Sequence, residues 1–341
     1  LIINYLVQKR LTIKDLANEL NLHYSTVSRA LNNYNGIKKT TKVKVLEAAR
    51  EYGYQVNLNA VHLRAASNNT IALIIPNIRH TFFTNIVSHI SKLAYKKGYV
   101  VSIFESNENY KQEQEIINRI IKYNYSGVIA SISKNTINAE HFRLLRKYNI
   151  PLVFFDRVGE NIDTSKVLIN NYESAYQAAE ILIKKGYKRI AYISGPIHLN
   201  VFKDRLQGYK NALTKYKIGY NHYIIINKEF TIEDGKNALE RLLEKDEKPD
   251  AVFSTSSILS IGIILKAKAL KINIPDDLGI IGFGDNDISS IIDPGITSII
   301  QPEDEISEQC FEIMMDMMNI NNIDNLVVRE VKTKIIFRGS I

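Results

Sequence analysis

Residues 12–32 read TIKDLANELNLHYSTVSRALN, and this stretch decides the fold of the N-terminal part of the chain. Thr12 with an acidic residue three positions later resembles a helix-capping box, and the following apolar residues recur at helical spacing. Asn21 tolerates a left-handed turn, so a second short helix is predicted over 24–31. A third helix is predicted over 40–52. Three short helices with a tight turn between the first two predict a helix-turn-helix unit.

Positive charge is concentrated around this unit. The 341-residue chain has a net charge of +8, and counting residues 1–66 gives ten Lys and Arg against four Asp and Glu. The second helix of such a unit enters the major groove of DNA, where Arg29 can read guanine and Ser25 or Tyr24 can reach a base or phosphate. The lysines within residues 38–44 can bind the phosphates of the DNA backbone. The alternative at this point is a solvated charged face on a helical bundle.

The remainder of the chain has a different pattern. From Thr70 onward, apolar runs of strand length alternate with amphipathic helices, which is typical of parallel sheets covered on both faces. Nearly 275 residues exceed one ordinary core, so we expect two doubly wound subdomains. The predicted domains are a headpiece (1–56), a hinge helix with linker (57–69) and a core (70–341), whose subdomains span about 70–168 plus 297–325 and about 169–296.

Polar residues follow the predicted strands of this core. In open parallel sheets, ligands bind beyond the carboxyl ends of the strands. Two subdomains facing each other across such ends would form a cleft for a small polar molecule, although each residue alone could be an ordinary turn former. The polar residues at these ends include Asn77, Asp156, Ser194, Gly195, Ser254 to Ser257, Gly284, Asp285 and Asn286.

Several other functions lack a sequence signature. The single cysteine, Cys310, excludes an intramolecular disulfide framework and a thiolate metal cluster. No metal-ligand spacing, phosphate-binding loop or nucleophile elbow occurs, so we expect no metal, no cofactor and no catalytic residue. No apolar run approaches the roughly 18 residues of a spanning helix, and residues 1–10 do not resemble a signal peptide. We therefore expect a cytoplasmic protein without a membrane partner.

The order of motifs resembles the LacI/GalR family of bacterial transcription regulators, over essentially the whole chain after about residue 11. The headpiece motifs are Thr12-Ile-Lys-Asp-Leu-Ala17, Ser25-Thr-Val-Ser-Arg-Ala-Leu-Asn32, Val45-Leu-Glu-Ala-Ala49 and Gly53-Tyr54. The core motifs include Thr70-Ile71, Pro76, Phe82-Phe83, Pro151 through Asp156-Arg157, Gly195-Pro196, Arg205, Gly208-Tyr209, Pro249-Asp250-Ala251, Ile274 through Asp277, Gly282-Phe283 and Gln301-Pro302.

This resemblance implies an all-α helix-turn-helix headpiece and an α/β, periplasmic-binding-protein-like core. It implies a homodimer on a pseudo-palindromic operator in double-stranded DNA, with a hinge helix that forms on DNA and a Leu63 wedge in the minor groove. The residues expected to contact DNA are Thr12, Tyr24, Ser25, Thr26, Ser28, Arg29, Asn32, Lys39, Thr40, Lys42, Asn57, Ala60 and Leu63. Those expected to contact a small polar effector, a sugar or sugar derivative, are Asn77, Phe82, Phe83, Asp156, Arg205, Ser256 and Asp285.

The sequence also departs from the family pattern. The family usually has Asp at Gly284 and Asn-Asp at Ser256-Ser257, so we expect Asp285 to replace part of the missing acceptor. Ser is usual at His23 and Arg at Val61. The resulting hypothesis is a sequence-specific repressor controlled allosterically by its effector. The alternative is a cytosolic small-molecule sensor that does not bind an operator.

Overall fold

The structure is a computed structural model that describes residues 11–31, 34, 36–54, 68–220, 223–320 and 326–341. The chain divides into two compact units, Leu1–Asn68 and Asn69–Ile341, which are called here the headpiece and the core. Four residues expected at the DNA, Asn32, Asn57, Ala60 and Leu63, lie outside the described residues.

The described part of the headpiece contains helices α1 (Ile13–Glu19), α2 (Tyr24–Leu31) and α3 (Lys39–Glu51). The predicted capping box on Thr12 is confirmed, since its hydroxyl accepts from the Asp15 amide at 3.3 Å and its own amide donates to the Asp15 carboxylate at 2.8 Å. Asn21 has the expected left-handed backbone, with φ at 51°. Apolar side chains from all three helices form one small core.

The core contains two six-stranded sheets. The first sheet has the order β11-β5-β4-β3-β1-β2, and the second has the order β12-β10-β9-β8-β6-β7. Strands of the first sheet are β1 (Asn68–Ile75), β2 (Val100–Glu105), β3 (Tyr125–Ala130), β4 (Leu152–Phe155), β5 (Ser165–Ile169) and β11 (Val328–Val331). Strands of the second are β6 (Ile190–Ser194), β7 (Ile224–Ile226), β8 (Ala251–Ser254), β9 (Gly279–Phe283), β10 (Thr297–Ile300) and β12 (Lys334–Ile336).

Helices cover both faces of these sheets, which is why central strands such as β4, β8 and β9 are buried along their whole length. The parts of the core built on the first and second sheets are called the first and second subdomains. Their helices are α4 (Thr81–Lys96), α5 (Tyr110–Lys122), α6 (Arg143–Lys147), α7 (Asn171–Lys184), α8 (Asn200–Lys215), α9 (Ile232–Leu243), α10 (Ser257–Ala269), α11 (Asp287–Ile291) and α12 (Glu303–Ile320), with a 3-10 turn at Glu140–Phe142. No helix among the described residues is long and apolar enough to cross a membrane.

One predicted boundary needs correction. The sequence assigned 297–325 to the first subdomain, and α12 does pack there, against α4 and strands β3 to β5. However, β10 pairs in parallel with β9, so it belongs to the second sheet. A four-residue strand contains no signal for the sheet that it joins, and the chain crosses only after Ile300. Strands β11 and β12 then return to the first and second sheets in turn.

Candidate effector cleft and nucleic-acid interface

Helix α2 of the headpiece has one apolar face and one polar face. Val27 and Ala30 are buried in the small core, whereas Tyr24 is 41% exposed and Arg29 is exposed. The other predicted contacts on this helix are partly exposed, namely Ser25, Thr26 and Ser28. The arrangement presents a hydroxyl, a phenol and a guanidinium from one short helix, which are groups able to hydrogen-bond base edges and phosphates.

The start of α2 is organised by His23. Its Nδ1 atom lies 2.8 Å from the Ser25 hydroxyl oxygen and accepts from the Ser25 amide at 3.4 Å. Which atom donates in the contact with the hydroxyl depends on the tautomer of the imidazole. The contact holds the Ser25 hydroxyl at the first turn of α2.

The N-terminus of helix α3 carries a group of lysines. Lys39 and Thr40 are exposed, and Lys42 is half-buried. Lys38, at the N-cap position, makes no side-chain cap hydrogen bond. A helix start without such a cap has backbone N–H groups that an anion can bind, and the adjacent lysines add positive charge.

The core contains a cleft at the carboxyl ends of the strands of both sheets. It encloses about 730 Å³ of space between protein atoms, including space open to solvent. Six of the seven residues predicted for the effector line it, namely Phe82, Phe83, Asp156, Arg205, Ser256 and Asp285. Asn77 is not among the lining residues, because its side chain caps its own loop by accepting from the Arg79 amide at 2.8 Å.

Arg205 is a buried cation of this cleft, with 4% of its surface exposed, and Arg157 is another, with 5% exposed. The Arg205 Nε donates to the Asn171 side chain at 2.8 Å and one Nη donates to the Thr255 carbonyl at 3.3 Å. Its guanidinium lies 3.4 Å from the centre of the Phe283 ring. Burial lowers the pKa of Arg205 to about 10, so the group is still charged at neutral pH. Two of its five N–H groups are engaged by these bonds, which leaves donors for a ligand.

Asp156 is the buried carboxylate. It has a left-handed backbone with φ at 56°. Its oxygens lie 3.5 Å from Gln301 Nε2 and 3.9 Å from Arg157 Nε, beyond the distance of a good hydrogen bond. Burial raises the pKa of the Asp156 carboxyl above its usual range, while the positive charges of Arg157 and Arg205 oppose that shift. The carboxylate thus accepts one long hydrogen bond, from Gln301, and keeps lone pairs for a ligand.

Aromatic rings form much of the cleft wall. Phe202 and Phe230 stack with centroids 5.3 Å apart, and Phe82 and Phe83 pack edge to face at 5.2 Å. The sequence prediction missed Phe202, Phe230 and Phe283, because they come from three separate segments and each is typical of an ordinary core residue. Such rings can pack on the apolar face of a sugar or on a planar base.

Comparison with known proteins gives the family. A model of bacterial regulatory proteins of the lacI family matches residues 12–57, and one of the periplasmic binding protein-like domain matches residues 179–341. Catabolite control protein A of Priestia megaterium is 31% identical over 331 residues, which cover 96% of this chain and 98% of that protein. The chain belongs to the LacI family.

Other relatives agree with this assignment. The HTH-type transcriptional repressor CytR of Escherichia coli (strain K12) is 32% identical over 330 residues, covering 96% of each chain. The structure of the lac repressor dimer bound to operator and the anti-inducer ONPF has the same fold, with a TM-score of 0.86 at 18% identity over 97% of this chain and 99% of that one. This LacI-family chain is a transcriptional regulator with a DNA-binding helix-turn-helix unit.

The second subdomain shows how this LacI-family chain differs from the family pattern. Gly284 has a left-handed backbone with φ at 82° and no side chain to offer. Asp285, which we expect to replace part of the missing acceptor, lines the cleft and is paired with Arg338. Both of its carboxylate oxygens accept from Arg338, at 2.8 and 3.0 Å, and Arg338 also donates to the Ile296 carbonyl at 2.6 Å. Asp285 borders the cleft, but its charge is already neutralised.

Neutral polar groups occupy the positions where the family usually has Asn and Asp. Ser256 precedes α10 and Ser257 begins it. The Ser257 hydroxyl accepts from the Asn286 side chain at 3.2 Å. The Thr255 hydroxyl is buried and has no hydrogen-bond partner. The second-subdomain wall therefore offers hydroxyl and amide groups, together with the Arg338-paired carboxylate of Asp285.

Proposed function

We propose that this regulator acts as a homodimeric repressor in the cytoplasm and binds a pseudo-palindromic operator. A small sugar-like effector in the cleft would change its affinity for that operator. The observation that supports this most directly is the pairing of an exposed polar face on α2 with a separate cleft that buries Arg205 and Asp156. The first can read DNA and the second can bind a small polar ligand. The proposal assigns no catalytic step, metal or cofactor to the chain.

In the DNA complex, we assign base reading to α2 and phosphate contacts to its surroundings. Arg29 would donate to guanine, and the Ser25 hydroxyl would bond the edge of either kind of base. Lys39, Thr40 and Lys42 would bind phosphate at the start of α3. The remaining contacts are predictions of the same kind, namely Thr12, Tyr24, Thr26, Ser28, Asn32, and in the hinge Asn57, Ala60 and Leu63.

In the cleft, we assign the effector's hydroxyl groups to two opposed partners. Asp156 would accept from a hydroxyl group, and the free donors of Arg205 would bind a hydroxyl or carboxylate oxygen. Phe82 and Phe230 would cover the apolar face of the ring. Because the wall around Ser256 lacks a free carboxylate, the site accommodates sugar derivatives with fewer hydroxyl donors on that side, including oxidised or deoxygenated sugars.

The DNA assignment is tested by measuring affinity for a set of operators with single base changes. Arg29→Ala should remove discrimination at one base position in each half-site, worth about 1–3 kcal/mol. Lys42→Ala should weaken all sequences about equally and reduce the slope of affinity against salt by about one. Equal effects from both substitutions would contradict the placement of α2 in the groove.

The cleft assignment is tested separately. A thermal-shift screen of sugars, sugar acids and nucleosides against the full-length chain should yield at least one compound that raises the melting temperature. Arg205→Met should abolish that shift, while Lys203→Met, an exposed change on the same helix, should leave it intact. A shift that survives Arg205→Met would refute the role of this cation.

A further inference from the structure

Beside the cleft, one lysine of the first subdomain reaches into the second. We propose that Lys134 is a positioning residue that joins the two subdomains across the cleft and sets how firmly they close, without contacting the effector. Any effect of this contact on effector release rests on the proposed function. The contact itself and its test require neither DNA nor effector. Lys134 lies in the loop between β3 and the 3-10 turn.

Both the side chain and the backbone of Lys134 bind the second subdomain. Nζ donates to the Lys228 carbonyl at 3.1 Å and to the Glu229 carboxylate. The Lys134 carbonyl accepts from His198 Nε2 at 2.6 Å. Lys228 and Glu229 lie between β7 and α9, and His198 lies between β6 and α8. The side chain of Lys134 is only 8% exposed, so its charge is shielded from water in this structure.

The first subdomain holds the Lys134 loop in place. The Lys134 amide donates to Glu108 Oε2 at 2.6 Å, and the Asn135 side chain donates to the Glu108 carbonyl at 2.6 Å. The Glu108 carboxylate accepts from one Arg157 nitrogen at 2.9 and 3.0 Å. Arg157 lines the cleft and lies 5.6 Å from the centre of the Phe83 ring. The lysine is therefore connected by hydrogen bonds to the cleft wall.

The partners of Lys134 belong to the segment that provides the opposite wall. Phe230 directly follows Glu229 and stacks on Phe202. Its ring also meets His80 of the first subdomain edge to face, with centroids 6.3 Å apart. By fixing Lys228 and Glu229, the Lys134 contact holds Phe230 over the cleft. Opening would separate the ammonium group from both of its acceptors, so the contact stabilises the closed form.

A second ion pair between the subdomains provides a matched control. Lys203 on α8 lies 3.0 Å from Glu160, which follows β4, and the two side chains are 59% and 55% exposed. Exposed ion pairs of this kind contribute little to stability, because water screens the two charges. The same lysine-to-methionine change should therefore have different consequences at 134 and at 203.

Hydrogen–deuterium exchange of the ligand-free, full-length chain tests the inference. Lys134→Met should raise exchange about tenfold both in 131–138 and in 227–231, although the second segment is unchanged in sequence. Glu229→Gln should raise exchange in 131–138 from the other side, and Lys203→Met should leave both segments as they were. Melting temperatures of all variants establish that each is folded.

A purely local role for Lys134 gives a different result. Exchange that rises only in 131–138 on Lys134→Met, with 227–231 unaffected, would overturn the proposal. So would an unchanged 131–138 segment in Glu229→Gln, whose carboxylate is 62% exposed and whose substitution should not affect folding. Because the experiment includes neither operator nor effector, its failure would not bear on the proposed function.

Discussion

Replacing Asp156 by Asn should make the protein more stable and its cleft less effective. The carboxylate is 9% exposed, and its nearest donors, at 3.5 and 3.9 Å, are too distant to replace the lost hydration. Asn removes the buried charge and also tolerates the left-handed backbone at this position. We expect the free energy of unfolding at pH 7 to rise by about 1–2 kcal/mol.

The pH dependence gives this prediction its sign. In the unfolded chain, Asp156 loses its proton near pH 3.8, the usual value, whereas burial raises its pKa in the folded state. The folded state therefore holds the proton more tightly, and the stabilising effect of that proton is lost as pH rises through the folded pKa. The advantage of Asp156→Asn should be largest at neutral pH and should shrink toward pH 4.

Urea unfolding at pH 4.5, 5.5, 6.5 and 7.5 measures this difference. Asp163→Asn, an exposed change in the loop that follows β4, is the control and should show no such trend. Ligands identified in the thermal-shift screen should bind Asp156→Asn about 10–100-fold more weakly, because a charge-assisted acceptor is lost. An Asp156→Asn protein that is less stable than the parent at pH 7, or a stability difference that does not vary with pH, would refute the reasoning.

Three further predictions concern packing around the cleft. Gly208→Ala places a Cβ atom 2.1 Å from the Tyr172 carbonyl oxygen. Urea unfolding should therefore show that the free energy of unfolding falls by about 1–3 kcal/mol. A decrease well below 1 kcal/mol would show that α7 and α8 separate easily. Gly195→Ala places a Cβ atom 2.2 Å from the Phe230 ring and 2.8 Å from the Phe202 ring. Because these rings stack on each other, both must shift, and calorimetry should show weaker ligand binding. Unchanged affinity would contradict the placement of these rings. Arg338→Met should lower the free energy of unfolding by about 2–3 kcal/mol, because it leaves the half-buried Asp285 carboxylate without its partner. The same loss is expected in high salt. A loss that disappears in high salt would indicate that the two residues form only a surface pair.

The sequence predicted the parts of this protein that depend on local patterns. The exposed polar face of α2 follows from helical spacing, since Val27 and Ala30 must face the small core. Phe82, Asp156 and Arg205 were located by motif and by the rule that parallel strands place their carboxyl ends at one edge.

Features made by residues far apart in the chain could not be predicted in the same way. The bond between Asp285 and Arg338 joins residues 53 positions apart, and nothing near Asp285 indicates that its charge is neutralised. The contact between Lys134 and the segment before Phe230 depends on how the two subdomains of the core approach each other. The sheet joined by β10 depends on neighbours that a four-residue strand does not specify.

Selection of operators from random double-stranded DNA by the full-length chain tests the central claim most directly. We predict recovery of a pseudo-palindromic site whose half-sites are separated by whole turns of the double helix, bound with an affinity that falls steeply with salt. Recovery of no palindromic sequence, or binding that is insensitive to salt, would contradict the assignment of this chain as a dimeric operator-binding regulator.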